Sequence, residues 1–181
     1  MLSQPLDLSK IDTCALFDYL YDFFKRDFVT NKTYLNRCIY INPQTGRKDN
    51  GKEASFWHII SREKKIKIRD GNRYVWKAMG RAYDVHRSER IEWVKQIIDS
   101  HDDDKVKFFY HKETTGRRPI RLYLWAHEDD FVVILQKLGR TSSFLVTSFY
   151  IDHAGKRRDY QKRLTAYQNK NLVELALCEW F

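Results

Sequence analysis

The stretch from Val106 to Ile151, VKFFYHKETTGRRPIRLYLWAHEDDFVVILQKLGRTSSFLVTSFYI, constrains the fold more than any other part of the chain. Four runs rich in β-branched and aromatic residues (106–110, 120–126, 131–137 and 143–151) are separated by the polar breaks HKETTGRRP, HEDD and GRTS. Each break holds Gly, Pro, Asp or Ser, so the runs predict the strands of an antiparallel meander. In the last run, strict alternation places Phe144, Val146, Ser148 and Tyr150 on one face. Leu145, Thr147, Phe149 and Ile151 are then expected on the other.

The flanks read mainly as helices. Residues 8–28 carry Leu16, Leu20 and Phe23 or Phe24 at helical spacing behind the cap candidates Ser9 and Asp12. A short helical or extended piece covers 31–41, and Pro43, Gly46 and Gly51 mark 41–55 as loop. Residues 53–65 predict a short amphipathic segment with His58 and Arg62 at i, i+4 on one helical face. The run IKIRDGNRYVWKAM holds a DG turn between two basic stretches, a small hairpin or a loop. The clearest helix is 84–101, with Ile91, Val94, Ile97 and Ile98 as its apolar stripe and Trp93 beside it. A last helix is expected over about 160–179, with Leu172, Leu175 and Ala176 on one side. The fold class that follows is α+β: N-terminal helices packed on one face of a four-stranded antiparallel β-meander, followed by a C-terminal helix. Residues 1–52 read as an N-terminal helical extension and 53–181 as the main domain, with one compact unit as the alternative.

Charge narrows the function classes. Thirty-three Lys and Arg against 24 Asp and Glu give a formal charge of +9, which favours a polyanionic partner, most often nucleic acid. No apolar run approaches the roughly 20 residues of a membrane span, so no membrane association is expected. The start MLSQPLDLSK lacks a basic n-region and an apolar h-region. Cys14, Cys38 and Cys178 form an odd, unpatterned set that fits reduced thiols, and a cytoplasmic location is the expectation. None of the six histidines is spaced i, i+3 or i+4 to another, so neither a metal nor a cofactor is expected. The motifs GxxxxGK[ST], GxGxxG, GxSxG, HExxH and CxxC are absent. The acidic run from His101 to Asp104 reads as a solvated helix-to-strand turn, because adjacent side chains on a turn diverge.

The candidate chemistry lies in histidines among cations. His111 and Lys112 follow the first strand, and Arg117, Arg118 and Arg121 lead into the second. Thr147 lies on the last strand, upstream of the basic turn Lys156, Arg157 and Arg158. Metal-independent RNA cleavage needs a base for the 2′-hydroxyl, an acid for the leaving 5′-oxygen, and donors that stabilise a pentacoordinate phosphorane. His58 and His111 are candidates for the acid–base pair, with Lys112, Arg62, Thr147 and Tyr150 as stabilising contacts. Ordinary readings stand beside these: a histidine at a strand end is commonly solvated, and threonine is a good strand residue.

Over residues 53–165 the chain resembles the phage-associated branch of the barnase–EndoU–colicin E5/D–RelE ribonuclease superfamily. The resemblance is carried by SFWHIISRE, RSERIEWVKQII leading into VKFFYHKE, RPIRLYLW, DDFVVIL, and FLVTSFYID followed by KRRDYQKRL. It implies N-terminal helices on a four-stranded antiparallel sheet and a metal-independent endoribonuclease, a toxin or phage–host conflict protein acting on tRNA or other RNA. The products would be 2′,3′-cyclic phosphate ends. Roles carry over only to His58, His111, Lys112, Thr147 and Tyr150. Arg62, Arg117, Arg118, Arg121 and Arg157 are the substrate-binding candidates, as cations that can hold a phosphate. A cognate antitoxin or immunity protein is the further partner implied. Two other readings compete. One is a non-catalytic nucleic-acid-binding module in which Tyr123 and Trp125 stack on bases. The other is a basic protein-interaction domain.

Overall fold

The computed structural model describes residues 2–71, 73–113, 120–170 and 175. Arg117, Arg118, Leu172, Ala176 and Cys178 therefore lie outside the described residues. The first helix, α1 (Leu16–Phe24), runs on into a π-helical turn at Lys25–Thr30. It starts later than its cap candidates: the Asp12 carboxylate accepts from the Cys14 amide, and Ser9 is held by Asp7. Both make local turns ahead of the helix. Across 31–42 two short strands, β1 (Tyr34–Leu35) and β2 (Ile39–Asn42), are joined by a turn in which Asn36 and Arg37 take left-handed φ of 47° and 56°. The expected loop at 41–55 contains a hairpin, β3 (Lys48–Asp49) and β4 (Lys52–Glu53). Asn50 and Gly51 join its strands at φ 48° and 75°, the paired left-handed conformations of a type I′ turn.

The segment 53–65 divides. Helix α2 (Ala54–Ile60) ends where Ser61 turns extended at φ −140° and ψ 161°. Beyond it Lys65, Ile66, Lys67, Ile68 and Arg69 alternate with period two, and that periodicity wins. The result is a long ribbon of β5 (Ser61–Asp70) and β6 (Arg73–Tyr83). Arg62 is thus a strand residue and does not share a helical face with His58. The expected helix at 84–101 is likewise two pieces, α3 (Val85–Ser88), capped by Asp84, and α4 (Ile91–Asp99). The meander follows as β7 (Val106–Lys112), β8 (Ile120–Ala126), β9 (Phe131–Lys137) and β10 (Ser142–Tyr150). The closing helix α5 (Ala154–Gln168) begins six residues earlier than expected, with the His153 ring accepting from the Lys156 amide.

The α+β class holds, but the sheet is larger than four strands. Its order is β1-β2-β10-β9-β8-β7, antiparallel except where β2 pairs in parallel with β10. The helices do not gather on one face. Leu122, Leu124, Val133, Leu135 and Leu145 pack with α1, α2 and α4 in one core. Phe109, Tyr123, Trp125, Val132, Ile134 and Phe149 pack on the opposite face with Tyr160 and Leu164 of α5. Leu20, Phe24, Phe28, Leu35, Ile39 and Ile41, all from the first 52 residues, belong to the first of these cores. A bulge between Leu145 and Thr147 breaks the strict alternation of the last strand. Leu145 opposes Leu135 and Thr147 opposes Ile134, so these two lie on different faces. Among the described residues no helix is long and apolar enough to cross a membrane.

The burial pattern sets a contrast between body and ribbon. Leu135 is fully buried, and Leu135→Ala is expected to cost about 2–5 kcal/mol of unfolding free energy. Trp76 on the ribbon is 67% exposed, and Trp76→Ala is expected to change stability by less than about 0.5 kcal/mol. Urea unfolding of the two variants beside the wild type checks both values.

Candidate active site

Strand β2 covers β10 only along Ser142–Phe144, so the rest of that edge of β10 is open to another partner. The C-terminal end of α2 takes the place. His58 Nδ1 lies 3.3 Å from the Val146 carbonyl, and Thr147 Oγ1 donates to the His58 carbonyl at 2.8 Å. A helix end leaves carbonyls without partners and favours cations. Arg87 supplies one: its Nη1 donates to the carbonyls of His58 (3.3 Å) and Ser61 (2.8 Å) and to Thr147 Oγ1 (3.2 Å). Arg81 supplies the other, donating from Nη2 to the Ser61 carbonyl at 2.7 Å and from Nε to Ser61 Oγ at 2.8 Å. The Ser61 hydroxyl in turn donates to the Trp57 carbonyl.

This setting fixes the state of His58. Desolvation against β10, and then the positive charge of Arg81, hold its pKa below the ordinary 6.5. The imidazole is therefore neutral at pH 7. The Val146 carbonyl can only accept, so Nδ1 carries the proton and Nε2 keeps its lone pair. Among the described residues nothing bonds Nε2, and a neutral imidazole with that nitrogen unengaged on an exposed residue is equipped to take a proton.

Two cavities flank the α2–β5 junction. The first is a cleft of about 180 Å³ lined by Arg62, Asp84, His86, Arg87, Phe149, Tyr150, Asp152 and Lys156. Arg62 Nε donates to the buried Asp84 carboxylate at 2.8 Å, and Arg87 Nε approaches it at 3.3 Å. Lys156 Nζ stands 4.1 Å from the centre of the Phe149 ring and 4.0 Å from Asp152. Burial lowers its pKa from the usual lysine value, against the opposing pull of Asp152. The Tyr150 ring has the Arg90 guanidinium over it at 4.9 Å and the His86 ring 6.0 Å away. The second cavity, about 410 Å³, is walled by Phe17, Trp57 and Tyr83, with Arg81, Asp49 and Asn50 at its polar parts. Phe17 meets the two other rings edge-on at 5.4 and 5.9 Å.

The expected site residues fall into separate groups. His58 and Thr147 meet directly, and Arg62 and Tyr150 line the adjoining cleft. His111 and Lys112 end β7, at the other side of the sheet. Three strand spacings of about 4.8 Å separate β7 from β10, so the structure does not bring His111 to His58. His111 instead packs edge-on to Tyr123 at 6.1 Å, and burial and then Arg163 lower its pKa. Arg121 pairs with His111 at that far edge. Arg157 is pinned to the β8–β9 turn by Asp130 and by the His127 carbonyl at 3.0 Å. Tyr123 and Trp125, the candidate stacking aromatics, are buried against α5. Four site residues were not singled out by sequence: Arg81, Asp84, His86 and Arg87. Lys156 was marked only as part of the basic turn downstream of Thr147, and it lines the cleft. Of the four, only Asp84 carried a local signal, as a helix N-cap, because the others meet through the ribbon and the sheet edge. Among the described residues no cluster of three His, Cys, Asp or Glu side chains is placed to hold a metal ion. Comparison with known protein families, curated proteins and solved structures finds no match to this chain.

The network predicts unequal roles for its cations. Arg87 is mostly buried and serves three acceptors, so Arg87→Ala is expected to destabilise the fold by about 3 kcal/mol. Arg62 is half exposed, and Arg62→Ala is expected to cost less than about 1 kcal/mol. Thermal melts separate the two, and comparable losses at both positions contradict the assignment.

Proposed function

We propose that this chain is a metal-independent endoribonuclease centred on the α2–β5 junction. The observation that carries the reading is the neutral His58 imidazole, its Nδ1 fixed by β10 and its backbone carbonyl bonded by Arg87, which lines a cleft with Arg62 and Lys156. His58 Nε2 takes the proton of a ribose 2′-hydroxyl. The 2′-oxygen then forms a bond to phosphorus, and the bond from phosphorus to the 5′-oxygen breaks. The cleft cations offset the extra charge of the phosphorane. The leaving 5′-oxygen takes a proton from Tyr150 or Lys156, both of which line the cleft. Products are a 2′,3′-cyclic phosphate and a 5′-hydroxyl. Thr147 is a positioning residue, since its hydroxyl holds the His58 backbone. The aromatic cavity on the other side of Ser61 offers three ring walls to the adjoining base.

A second reading, a nucleic-acid-binding module without catalysis, is favoured by the basic ribbon. Incubation with total RNA in EDTA separates them. Cleavage to cyclic-phosphate ends is expected, with His58→Ala lowering the rate about 10²- to 10⁴-fold. His111→Ala, three strands away, is expected to stay within about threefold of wild type. Intact RNA at every protein ratio leaves the binding module.

The pH profile follows from the same histidine. The base works deprotonated, and its pKa is held below 6.5, so kcat/KM is expected to rise with pH on a limb centred below that value. Conversion of Thr147 to Val removes the hydroxyl donor from the His58 carbonyl, leaving the arginines to hold it, and is expected to move that limb while Thr147→Ser restores it. A limb centred above 6.5 in the wild type removes His58 from the role.

A further inference from the structure

Beyond its base, which holds Arg62 and Arg81, the β5–β6 ribbon is left unused by the proposed active site. Between Ser61 and Tyr83 it holds eight Lys and Arg against two acidic residues, a surplus of six within a chain whose total is +9. Its strands pair from Ser61↔Tyr83 to Asp70↔Arg73, about 30 Å at 3.3 Å per residue. None of the described residues between 62 and 83 belongs to either hydrophobic core, so the ribbon stands off the body of the fold. Two glycines shape it. Gly71, at φ 59°, lies in the two-residue connection, and Gly80, at φ 94°, sits in a bulge opposite Glu63–Lys65.

Cross-strand register sorts its side chains. Residues directly opposite share a face, and Lys65↔Ala78, Lys67↔Trp76 and Arg69↔Tyr74 are opposite pairs. One face therefore carries Lys65, Lys67, Arg69, Tyr74 and Trp76. Tyr74 and Trp76 are 65% and 67% exposed, and Lys67 Nζ lies 4.9 Å from the Tyr74 ring centre. Lysines on a ribbon also discourage edge-to-edge aggregation. That device accounts for the charges and not for two large exposed rings between them, which by themselves favour aggregation.

We propose that this face of the ribbon is a platform for single-stranded RNA, with unpaired bases stacking on Trp76 and Tyr74 and the Lys65, Lys67 and Arg69 cations following the phosphates. Alternating rings and cations match the alternation of base and phosphate along a strand. The bases of an RNA duplex are stacked on each other, and the narrow major groove of A-form RNA does not admit side chains. The proposal deepens the ribonuclease reading by naming the strand state of its substrate, and it rests on that reading for the choice of RNA.

The test uses the full chain and a fluorescein-labelled 16-nucleotide 2′-O-methyl RNA, which has no 2′-hydroxyl to attack and stays intact. Anisotropy titrations compare the single strand with its duplex. The single strand is expected to bind at least tenfold tighter than the duplex. Trp76→Ala and Tyr74→Ala are each expected to weaken single-strand binding roughly tenfold, with Trp76→Phe within about threefold of wild type. Combined Lys65→Ala, Lys67→Ala and Arg69→Ala are expected to reduce the slope of log K against log salt by about 2, at roughly 0.7 per phosphate contact. Unchanged affinity in Trp76→Ala and Tyr74→Ala, or tighter binding of the duplex, overturns the platform. Preference for vesicles of anionic phospholipid over the oligonucleotide overturns it as well. Because the probe cannot be cleaved, these results do not depend on catalysis, and a failed platform leaves cleavage at His58 standing.

Discussion

The end of helix α2 is the constraint on which the site depends. An α-helix stops with its last carbonyls unpartnered, and here they stop against a sheet edge. Thr147, Arg81 and Arg87 bring donors from three different elements to the carbonyls of His58 and Ser61. Each donor has its own reason to be there. Thr147 follows a bulge that turns it to the face opposite Leu145, Arg81 follows the glycine bulge of the ribbon, and Arg87 closes the turn capped by Asp84. Satisfying one helix end thus gathers a histidine, two guanidiniums and two hydroxyls. Burial of the polar groups then lowers the His58 pKa.

The sheet decides what does not join them. Its six-strand order places β10 near the middle and β7 at the edge, so residues adjacent in a sequence motif list can lie three strands apart. His111 keeps a perturbed pKa for a local reason: it packs between Tyr123 and the Arg163 charge on the α5 side. A depressed histidine pKa is therefore common to two places in this fold, and of the two it is His58 whose backbone carbonyl is held by Thr147 and by Arg87, a residue of the open cleft. Perturbation alone does not mark a site; perturbation with geometry does.

Much of the scaffold was legible in the sequence because hydrophobic periodicity is a local property. The meander strands fall within a residue or two of the runs that predict them, and the stripe of Ile91, Val94, Ile97 and Ile98 is buried as its spacing requires. The misreadings come from non-local pairing. Nothing near Ile39–Asn42 announces a parallel partner 100 residues later, and nothing in FLVTSFYI announces the bulge that turns Thr147 away from Leu145. The Asn50-Gly51 pair did carry a hairpin signal, overshadowed by the glycines and proline around it. At the site, His58, Arg62, Thr147 and Tyr150 were legible as residue types. Arg81, His86 and Arg87 were not, because an arginine on a ribbon or a histidine in a short turn has no periodicity that points to a common cleft.

The two arginines have an ordinary explanation in helix capping, and the question is whether capping exhausts them. A guanidinium carries five N–H donors on three nitrogens in a fixed fork. Arg87 spends Nη1 on two carbonyls and a hydroxyl and turns Nε toward Asp84. Among the described residues no acceptor engages its Nη2, and the side chain lines the cleft. A lysine at this position, with a single nitrogen, cannot hold the helix end and face the cleft from separate atoms. One end of the fork is fixed by the fold, so the other is held in place without a ligand. A donor fixed beforehand loses little entropy when an anion arrives, which is the preorganisation that charge stabilisation requires.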